Sequence, residues 1–184
     1  MTVAYMKGFQ GESLSSQSVM TMVKHFPGGG PQLDGLDPHL KSGESQVYPG
    51  DHFDYHLAPF IAAIENDMRV VMPYYGIPTG QTDEDVAMAY NRQILTDLLR
   101  DQLGFEGVIC TDWGVVTGRI WGVEPLTVEE RYLKSIEAGV DQYGGESDPE
   151  YIVNLVDQGA ISEARIDESV RRILRNKFDL GLFE

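Results

Sequence analysis

The sequence predicts an α/β protein that forms a partial (β/α)8 barrel of the TIM type. Helical and strand-like patterns alternate four times along the 184 residues. The strand-like runs are short, apolar and rich in β-branched residues, which is typical of parallel strands buried between two layers of helices. A complete barrel needs about 250 residues. We therefore expect about four βα units, followed by C-terminal helices.

The order of the elements follows from hydrophobic periodicity and from helix start and stop signals. Helices are expected at about 1–9, 55–66, 83–103, 127–138, 149–158 and 162–177, and strands at about 19–23, 70–73, 108–111 and 140–143. Thr127 and Glu130 suit a capping box at the start of the fourth helix. The alternation predicts a parallel sheet with helices packed outside it.

Polar or aromatic residues end every predicted strand, namely Lys24 with His25, the run 72–75, Asp112 with Trp113, and the pair 142–143. In parallel α/β folds the carboxyl ends of the strands share one edge, and that edge carries the chemistry. We expect these side chains to converge there. Lys24 and His25 are adjacent, so both face a ligand only if the strand backbone is irregular. The alternative is a surface charge beside a histidine with ordinary partners.

Asp112 is the central candidate residue of the sequence. It follows the buried run 108–111 and precedes Trp113. An exposed indole beside a carboxylate is typical of sugar sites, because the apolar face of a pyranose stacks on the ring while the acid meets the anomeric carbon. The alternative is that Asp112 is a helix N-cap or a turn residue, since aspartate is common at both.

A long loop at 27–54 leaves the same edge as Asp112 and is crowded with Gly, Pro, Asp and His. Loops of this length inside a compact domain are usually functional. A disordered insertion is the alternative, but a solvated loop does not need the apolar anchors Leu33, Leu36, Val47 and Tyr48.

Composition narrows the classes of function. With 29 acidic against 14 basic residues the net charge is −15, which disfavours nucleic acid and anionic membranes as partners and suits a neutral substrate. No window approaches the roughly 18 apolar residues of a membrane span. Cys110, the only cysteine, cannot form a disulfide within the chain and is expected to be a core thiol. The compartment remains open among cytoplasm, periplasm and secretion.

Other chemistries have weak support, so neither a metal nor a cofactor is expected. The glycines 28–30 could hold a phosphate, but the Walker pattern and the Gly-x-Gly-x-x-Gly fingerprint are both absent. The histidines and acids of the loop lack a recognised ligand spacing. No serine stands in a Gly-x-Ser-x-Gly elbow.

Three stretches and the C-terminal run together resemble glycoside hydrolase family 3. They are Lys24-His25-Phe26-Pro27-Gly28, Gly104-Phe105-Glu106-Gly107, Thr111-Asp112-Trp113 and the closing run 166–174. The extended run 26–32, with Asp37-Pro38-His39, is similar to the β-glucosidase-like bacterial members. It departs from the N-acetylglucosaminidase branch, because Gly29 stands where that branch has the first histidine of its loop.

The resemblance implies a retaining hydrolase that releases terminal β-linked glucosyl residues. In that reading Asp112 is the nucleophile, Trp113 a stacking wall, Lys24 and His25 donors to sugar hydroxyls, and Met72 and Tyr75 neighbours of the nucleophile. The resemblance also suggests cis peptide bonds at Phe26–Pro27 and at Lys24–His25.

The resemblance places residues 1–184 in the C-terminal half of the family's N-terminal barrel domain. Upstream strands and a second domain, which carries the acid/base glutamate in the β-glucosidase branch, would then lie outside these residues. Nothing in the sequence marks Glu44 or Glu146 as the proton donor. The expected partners are a β-linked glucoside or oligosaccharide and, because four strands leave open edges, the rest of the enzyme or a second copy.

Two alternatives to a glycoside hydrolase remain. A non-catalytic half-barrel that assembles with itself or a companion chain would only bind sugar. An unrelated phosphate-binding α/β protein would depend on the glycines 28–30 alone.

Overall fold

The computed structural model describes all residues from 1 to 184. Its elements in chain order are α1 Thr2–Gln10, β1 Met22–Phe26, β2 Ser45–Gln46, α2 Phe53–Ile64, β3 Val70–Pro73, β4 Ile77–Pro78, a π-helix Gln93–Gln102, β5 Val108–Ile109, α3 Val128–Ala138, α4 Glu150–Asp157 and α5 Glu163–Asp179. Single 3₁₀ turns lie at Leu33–Gly35, Lys41–Gly43 and Met88–Tyr90. None of the helices has the length and apolar character needed to cross a membrane.

The main sheet is parallel and has the strand order β1-β3-β5. A single parallel bridge from Cys110 to Gln142 extends it by one position. All four residues of β3 are buried, because this strand is central and covered on both faces. The predicted class, an α/β partial barrel with a parallel sheet, is confirmed.

Successive residues of the strands supply two separate cores. Val71 and Ile109 point into the main cluster, which also contains Phe60 of α2 and Leu99 of the π-helix. Val70, Val108 and Cys110 point to the other face, where partly buried Met20 and Ile173 cover them. Burial raises the pKa of the Cys110 thiol to about 11, so it stays protonated in the core, as the sequence predicts.

Two predicted strands differ from the observed ones. The first begins at Met22 rather than at residue 19, because pairing with β3 starts at the Met22–Val70 position. Lys24 and His25 therefore lie within the strand. The strand expected at 140–143 is reduced to the single bridge, because the Asp141 and Gln142 N–H groups both donate to the Ile109 carbonyl and interrupt the regular ladder.

The third predicted helix is much shorter than expected. Residues 83–92 form mainly irregular backbone with one 3₁₀ turn, and the π-helix begins at Gln93. Asn91 supplies the physical reason, because its side-chain oxygen accepts from the Ile94 N–H at 3.1 Å and so caps the helix start.

The loop at 27–54 is ordered, and it is less structureless than the sequence suggests. Its short strand β2 pairs in parallel with β4, a pairing the sequence does not predict. The indole N–H of Trp121 donates to the Pro38 carbonyl at 2.8 Å, and the Val47 N–H donates to the Pro31 carbonyl at 2.8 Å. These bonds hold the loop over the carboxyl edge of the main sheet.

Candidate active site

The end of β1 has the irregular backbone expected from its two adjacent polar residues. Pairing with β3 changes register between Lys24 and Phe26. The Lys24–His25 and Phe26–Pro27 peptide bonds are both cis. The prediction of irregular geometry at this strand end is confirmed.

The Asp112 carboxylate is held by two different segments of the chain. Its side chain is 13% exposed, and Oδ2 lies 3.3 Å from His25 Nε2. The backbone N–H of Trp113 donates to Oδ1 at 2.7 Å. The group is therefore partly desolvated yet hydrogen-bonded, an arrangement that keeps a carboxylate oriented toward one side.

Tyr75 supports the backbone next to Asp112. Its hydroxyl donates to the Trp113 carbonyl at 2.6 Å. Burial, together with the nearby Asp112 carboxylate, raises the pKa of Tyr75 above its ordinary value. The phenol thus remains protonated and able to donate at neutral pH.

The Trp113 indole forms an exposed wall beside the carboxylate. The residue is 57% exposed, and its ring lies directly on the backbone of Gly144 and Gly145. A Cβ atom at Gly144 would lie 2.9 Å from the Trp113 ring, and one at Gly145 would overlap it. The Gly144 N–H donates to Thr111 Oγ1 at 3.0 Å. This bond holds the two glycines, here called the glycine seat, against the segment that follows β5.

His25 is electrostatically suited to remain neutral. Burial lowers its pKa, the positive charge of Lys24 lowers it further, and Asp112 opposes both effects. A neutral imidazole has one N–H donor, and Nε2 is the nitrogen closest to Asp112. At neutral pH the pair is therefore a close contact between a neutral ring and the carboxylate rather than a full ion pair.

Lys24 and Met72 have positions that the sequence only partly anticipates. They are partners in the β1–β3 register, with Met72 buried and Lys24 exposed. Neither forms a hydrogen bond or an ion pair with the Asp112 carboxylate, which meets His25 and the Trp113 backbone. The structure thus brings His25, Tyr75 and Trp113 to Asp112, with Lys24 and Met72 in the adjacent strand positions.

Sequence reasoning gave no site role to three residues grouped around Tyr75, namely Asp37, His39 and Arg119. The His39 ring packs edge-on against Tyr75 at 4.9 Å, and His39 Nδ1 lies 2.6 Å from Asp37 Oδ1. The Arg119 guanidinium lies 5.4 Å from the centre of the Tyr75 ring. Hydrogen bonds from the backbone and side chain of His39 lower the pKa of Asp37. For Asp37 and His39 the signal in the sequence was the long loop at 27–54, which predicts function but not which residues face the site; Arg119 lies outside that loop and had no such signal.

Some side chains expected near the edge do not reach it. The Tyr143 hydroxyl lies 2.6 Å from Ser135 Oγ and points into the helical core, so its predicted convergence on the site is wrong. Glu146 accepts from the Val116 N–H at 3.2 Å and so holds a neighbouring loop, while Glu44 pairs with Lys41. No group of three or more His, Cys, Asp or Glu side chains is placed to hold a metal ion.

A comparison with protein families decides the relationship. The family model described as the glycosyl hydrolase family 3 N terminal domain matches residues 1–176. The chain belongs to glycosyl hydrolase family 3. The partial barrel is therefore that of a family 3 N-terminal domain rather than of an unrelated α/β protein.

Individual family 3 relatives support the same assignment. The probable beta-glucosidase C of Aspergillus flavus is 52% identical over 194 residues, which cover 100% of this chain and 31% of that protein. The periplasmic beta-glucosidase/beta-xylosidase of Dickeya chrysanthemi is 39% identical over 210 residues, covering 100% and 32%. The β-glucosidase of Listeria innocua in complex with isofagomine superposes with a TM-score of 0.80 at 27% identity, covering 99% of this chain and 25% of that one.

These relatives refine the family assignment in two respects. The chain spans about a third of the length of the curated relatives that it matches. Fungal proteins are among its strong matches, so the comparisons do not place it in a specifically bacterial branch.

Proposed function

We propose that the complete gene product is a retaining glycosidase that releases terminal β-D-glucosyl residues, and that this chain supplies the nucleophile Asp112. The observation that carries the proposal is the Asp112 carboxylate, which is held by His25 and the Trp113 backbone beside an exposed indole at the carboxyl edge of the sheet. The names of the relatives support β-glucosides as the substrate class.

Asp112 attacks the anomeric carbon as the bond to the leaving oxygen breaks, and it forms a glycosyl ester with inversion. Water then cleaves the ester with a second inversion, so the configuration is retained. Hydrogen bonds to the carboxylate orient the attacking oxygen. The Trp113 N–H donates such a bond to Oδ1, and the neutral His25 ring lies 3.3 Å from Oδ2.

The remaining predicted residues bind and position the sugar. Trp113 offers its exposed face to the apolar side of the pyranose, and Lys24 and His25 donate to hydroxyl groups. Tyr75 positions Asp112 through its hydrogen bond to the Trp113 carbonyl, and buried Met72 forms apolar packing in the neighbouring strand.

The proton donor is assigned to a part of the complete protein outside residues 1–184. A retaining mechanism needs a second carboxyl group about 5–5.5 Å from the nucleophile. Glu146 and Glu44 are engaged elsewhere in this chain. A sugar-binding half-barrel without turnover is not favoured, because binding alone needs no oriented, partly desolvated carboxylate beside the sugar wall.

A slow 2-deoxy-2-fluoro β-glucoside tests the assignment of the nucleophile. Incubated with the complete gene product, it is expected to label Asp112, as located by mass spectrometry of peptides. Asp112→Asn should abolish labelling and lower kcat by about 10³-fold or more. Asp101→Asn, at an exposed acid in the last turn of the π-helix, is the control and should label normally. Labelling of a different carboxylate would end the assignment.

A further inference from the structure

A second pocket, the arginine pocket, lies at the opposite end of β5 from Asp112. Arg69 directly precedes β3 and Gly107 directly precedes β5, and both line this pocket. Its volume is about 320 Å³, at the lower end of the roughly 300–1,000 Å³ range of small-molecule sites. The groups that can bind a ligand there come from Arg69, Arg171, Arg172, Arg175, Asn176 and the loop 104–107. None of them takes part in the catalytic steps proposed above.

The lining of the arginine pocket is positive, in contrast to the chain as a whole. Four of the nine arginines line it, although the net charge of the chain is −15. The acids of the lining are Asp67 and Glu106. Asp67 Oδ1 lies 2.7 Å from Arg69 Nε, and Glu106 Oε2 lies 3.7 Å from Arg175 Nη1. Four guanidinium groups against two carboxylates favour an anion as the ligand.

Two of the four guanidinium groups are fixed in place. Arg69 Nη1 donates to Asp179 Oδ2 at 2.7 Å, and Arg172 Nη1 donates to Asp141 Oδ1 at 2.8 Å. A guanidinium carries more N–H donors than these bonds use. Both groups therefore keep their position and still have donors for a ligand.

The other two guanidinium groups, of Arg171 and Arg175, are free to turn toward a ligand. They lie one helical turn apart on α5, and both are mostly exposed. Arg171 Nη2 lies 3.3 Å from the exposed Asp167, and the Glu106 that pairs with Arg175 is 84% exposed. Because exposed ion pairs add little to stability, exchanging them for a ligand costs little.

Asn176 adds a buried side-chain amide to the wall of the pocket. The residue is 4% exposed and follows Arg175 within α5. Its backbone carbonyl accepts from the Leu180 N–H at 3.1 Å, whereas its side-chain amide has no hydrogen-bond partner in the chain. A buried polar group without a partner is costly, so a ligand that accepts from this amide removes the cost.

The loop before β5 contributes a backbone N–H group. Arg100 donates to the Phe105 carbonyl at 3.0 Å and to the Gly107 carbonyl at 3.1 Å. Because the carbonyl and the N–H of a trans peptide point in opposite directions, the Glu106 N–H points away from Arg100. It has no partner in the chain. Gly107 keeps the loop close to Arg69, since a Cβ atom there would lie 2.3 Å from the Arg69 carbonyl oxygen.

We propose that the arginine pocket binds a phosphate-type oxyanion, either inorganic phosphate or the phosphate group of a small monoester. Guanidinium groups bind phosphate through paired charge-assisted hydrogen bonds. They come here from two directions, the start of β3 and the side of α5. A tetrahedral oxyanion has acceptor oxygens for both directions, whereas a planar carboxylate offers two oxygens in one plane. The ligand is separate from the sugar substrate, so this inference does not depend on the proposed function.

Calorimetric titration of the complete gene product with phosphate at neutral pH tests the site. We expect a Kd of about 1 mM or lower. Arg175→Gln is expected to raise this Kd about tenfold, and Asn176→Leu, which removes the amide at similar size, at least about threefold. Arg92→Gln is the matched control, because Arg92 is as exposed as Arg175 and also lies 3.7 Å from its acid, here Asp97. It changes the net charge equally and should leave the Kd unchanged.

Several outcomes would overturn the arginine pocket. One is a titration with no more heat than sodium chloride gives at the same ionic strength. Another is an equal rise of Kd in Arg175→Gln and Arg92→Gln, because net charge alone would then attract the ion. A third is phosphate binding that a β-glucoside displaces, because the ion would then lie at the Asp112 edge. These are binding measurements, so they are informative even if the protein hydrolyses no glucoside.

A parallel titration with glycerol phosphate distinguishes the two sources of the phosphate group. Tighter binding than that of inorganic phosphate, weakened by Arg175→Gln, identifies a monoester as the ligand. Equal or weaker binding identifies the free ion. Either result supports the site, whereas binding of glycerol phosphate that Arg175→Gln and Asn176→Leu both leave unchanged would place the phosphate group elsewhere and overturn it.

Discussion

At the scale of single residues, the Trp113 wall depends on the absence of two side chains beneath it. Gly145 has φ of +70°, and an added Cβ would overlap the indole ring. The wall is therefore set by the close approach of a ring to bare backbone rather than by other side chains.

In the complete gene product, Gly145→Ala is expected to displace the Trp113 indole and to lower kcat/KM for a β-glucoside at least about tenfold. The tryptophan emission spectrum should shift as well. Overpacking typically costs about 1–3 kcal/mol, which is enough for that loss. Gly159→Ala is the matched control, since Gly159 has φ of +73° with nothing within 4 Å. It should share the left-handed backbone cost of roughly 1–2 kcal/mol and keep full activity. Similar kinetics for the two variants would refute the role of the glycine seat.

The neutral state of His25 leads to a prediction about charge. Burial and Lys24 both lower its pKa from the ordinary 6.5. Because the folded state then resists protonation more than the unfolded state, unfolding takes up a proton as the pH falls below 6.5. The His25 contribution to stability is thus full above that pH and declines as the pH drops toward the folded pKa.

Lys24→Met is expected to raise the pKa of His25, read from the imidazole proton shifts in an NMR titration. Removing the positive charge leaves burial and His39, which lower the pKa, and Asp112, which raises it. Lys134→Met, which removes the partner of Glu84 at 2.7 Å, is the control and should leave the pKa of His25 unchanged. An unchanged or lowered His25 pKa in Lys24→Met would contradict the electrostatic account.

At the scale of elements, Asp141 joins three parts of the fold at the base of the site. Its side chain is fully buried, and Oδ2 accepts from Arg100 of the π-helix at 2.6 Å and from the Ile109 N–H of β5 at 2.9 Å. Oδ1 accepts from Arg172 of α5 at 2.8 Å and from Ser169 at 2.8 Å. One carboxylate therefore fixes a strand between two helices.

Asp141→Asn is expected to lower the free energy of unfolding by about 3–5 kcal/mol, because it leaves buried guanidinium groups without their counter-charge. Urea titration followed by circular dichroism measures the loss. Asp167→Asn breaks an exposed pair with Arg171 and should cost less than about 1 kcal/mol. A loss at Asp141 no larger than at Asp167 would show that the buried cluster does not stabilise the fold.

At the scale of the whole molecule, one side of the sheet is open. β1 pairs only with β3, so its other edge carries no strand. The surface beside that edge is apolar, with Tyr5, Phe9, Val19 and Met22 exposed. Unpaired edges beside apolar surface favour association.

The 184-residue chain alone is therefore expected to self-associate, as measured by sedimentation velocity. Changing Tyr5 and Met22 together to lysine should weaken association at least about tenfold, because charge blocks edge pairing and removes apolar burial. Val153→Lys, at an exposed position on α4, is the control and should associate like wild type. A chain that stays monomeric at all concentrations would show that the open edge of β1 does not drive association.

The same chain alone is expected not to hydrolyse cellobiose at a useful rate. Loss of general acid catalysis costs about 10²- to 10⁴-fold, and it weighs most on a leaving group that needs protonation. An aryl β-glucoside, whose leaving group needs little, serves as the comparison substrate. Cellobiose turnover on the order of 10 s⁻¹ would show a proton donor within the chain, with Glu44 and Glu146 as the first positions to change.

The amino-acid sequence by itself determined the parallel α/β order, the buried strand before Asp112 and the position of Trp113. These features depend on short-range patterns, because periodicity and strand-end residues are local properties of the chain. The family relationship follows for the same reason, since its motifs are contiguous runs.

Only the tertiary structure decided which side chains meet. The approach of His25 to Asp112, the burial of Tyr143, the Asp141 cluster and the unpartnered Tyr48 hydroxyl all join or isolate groups from distant segments. Each depends on side-chain direction, and a register shift in β1 is enough to reverse that direction. Such directions are set by long-range packing, which short-range patterns do not contain.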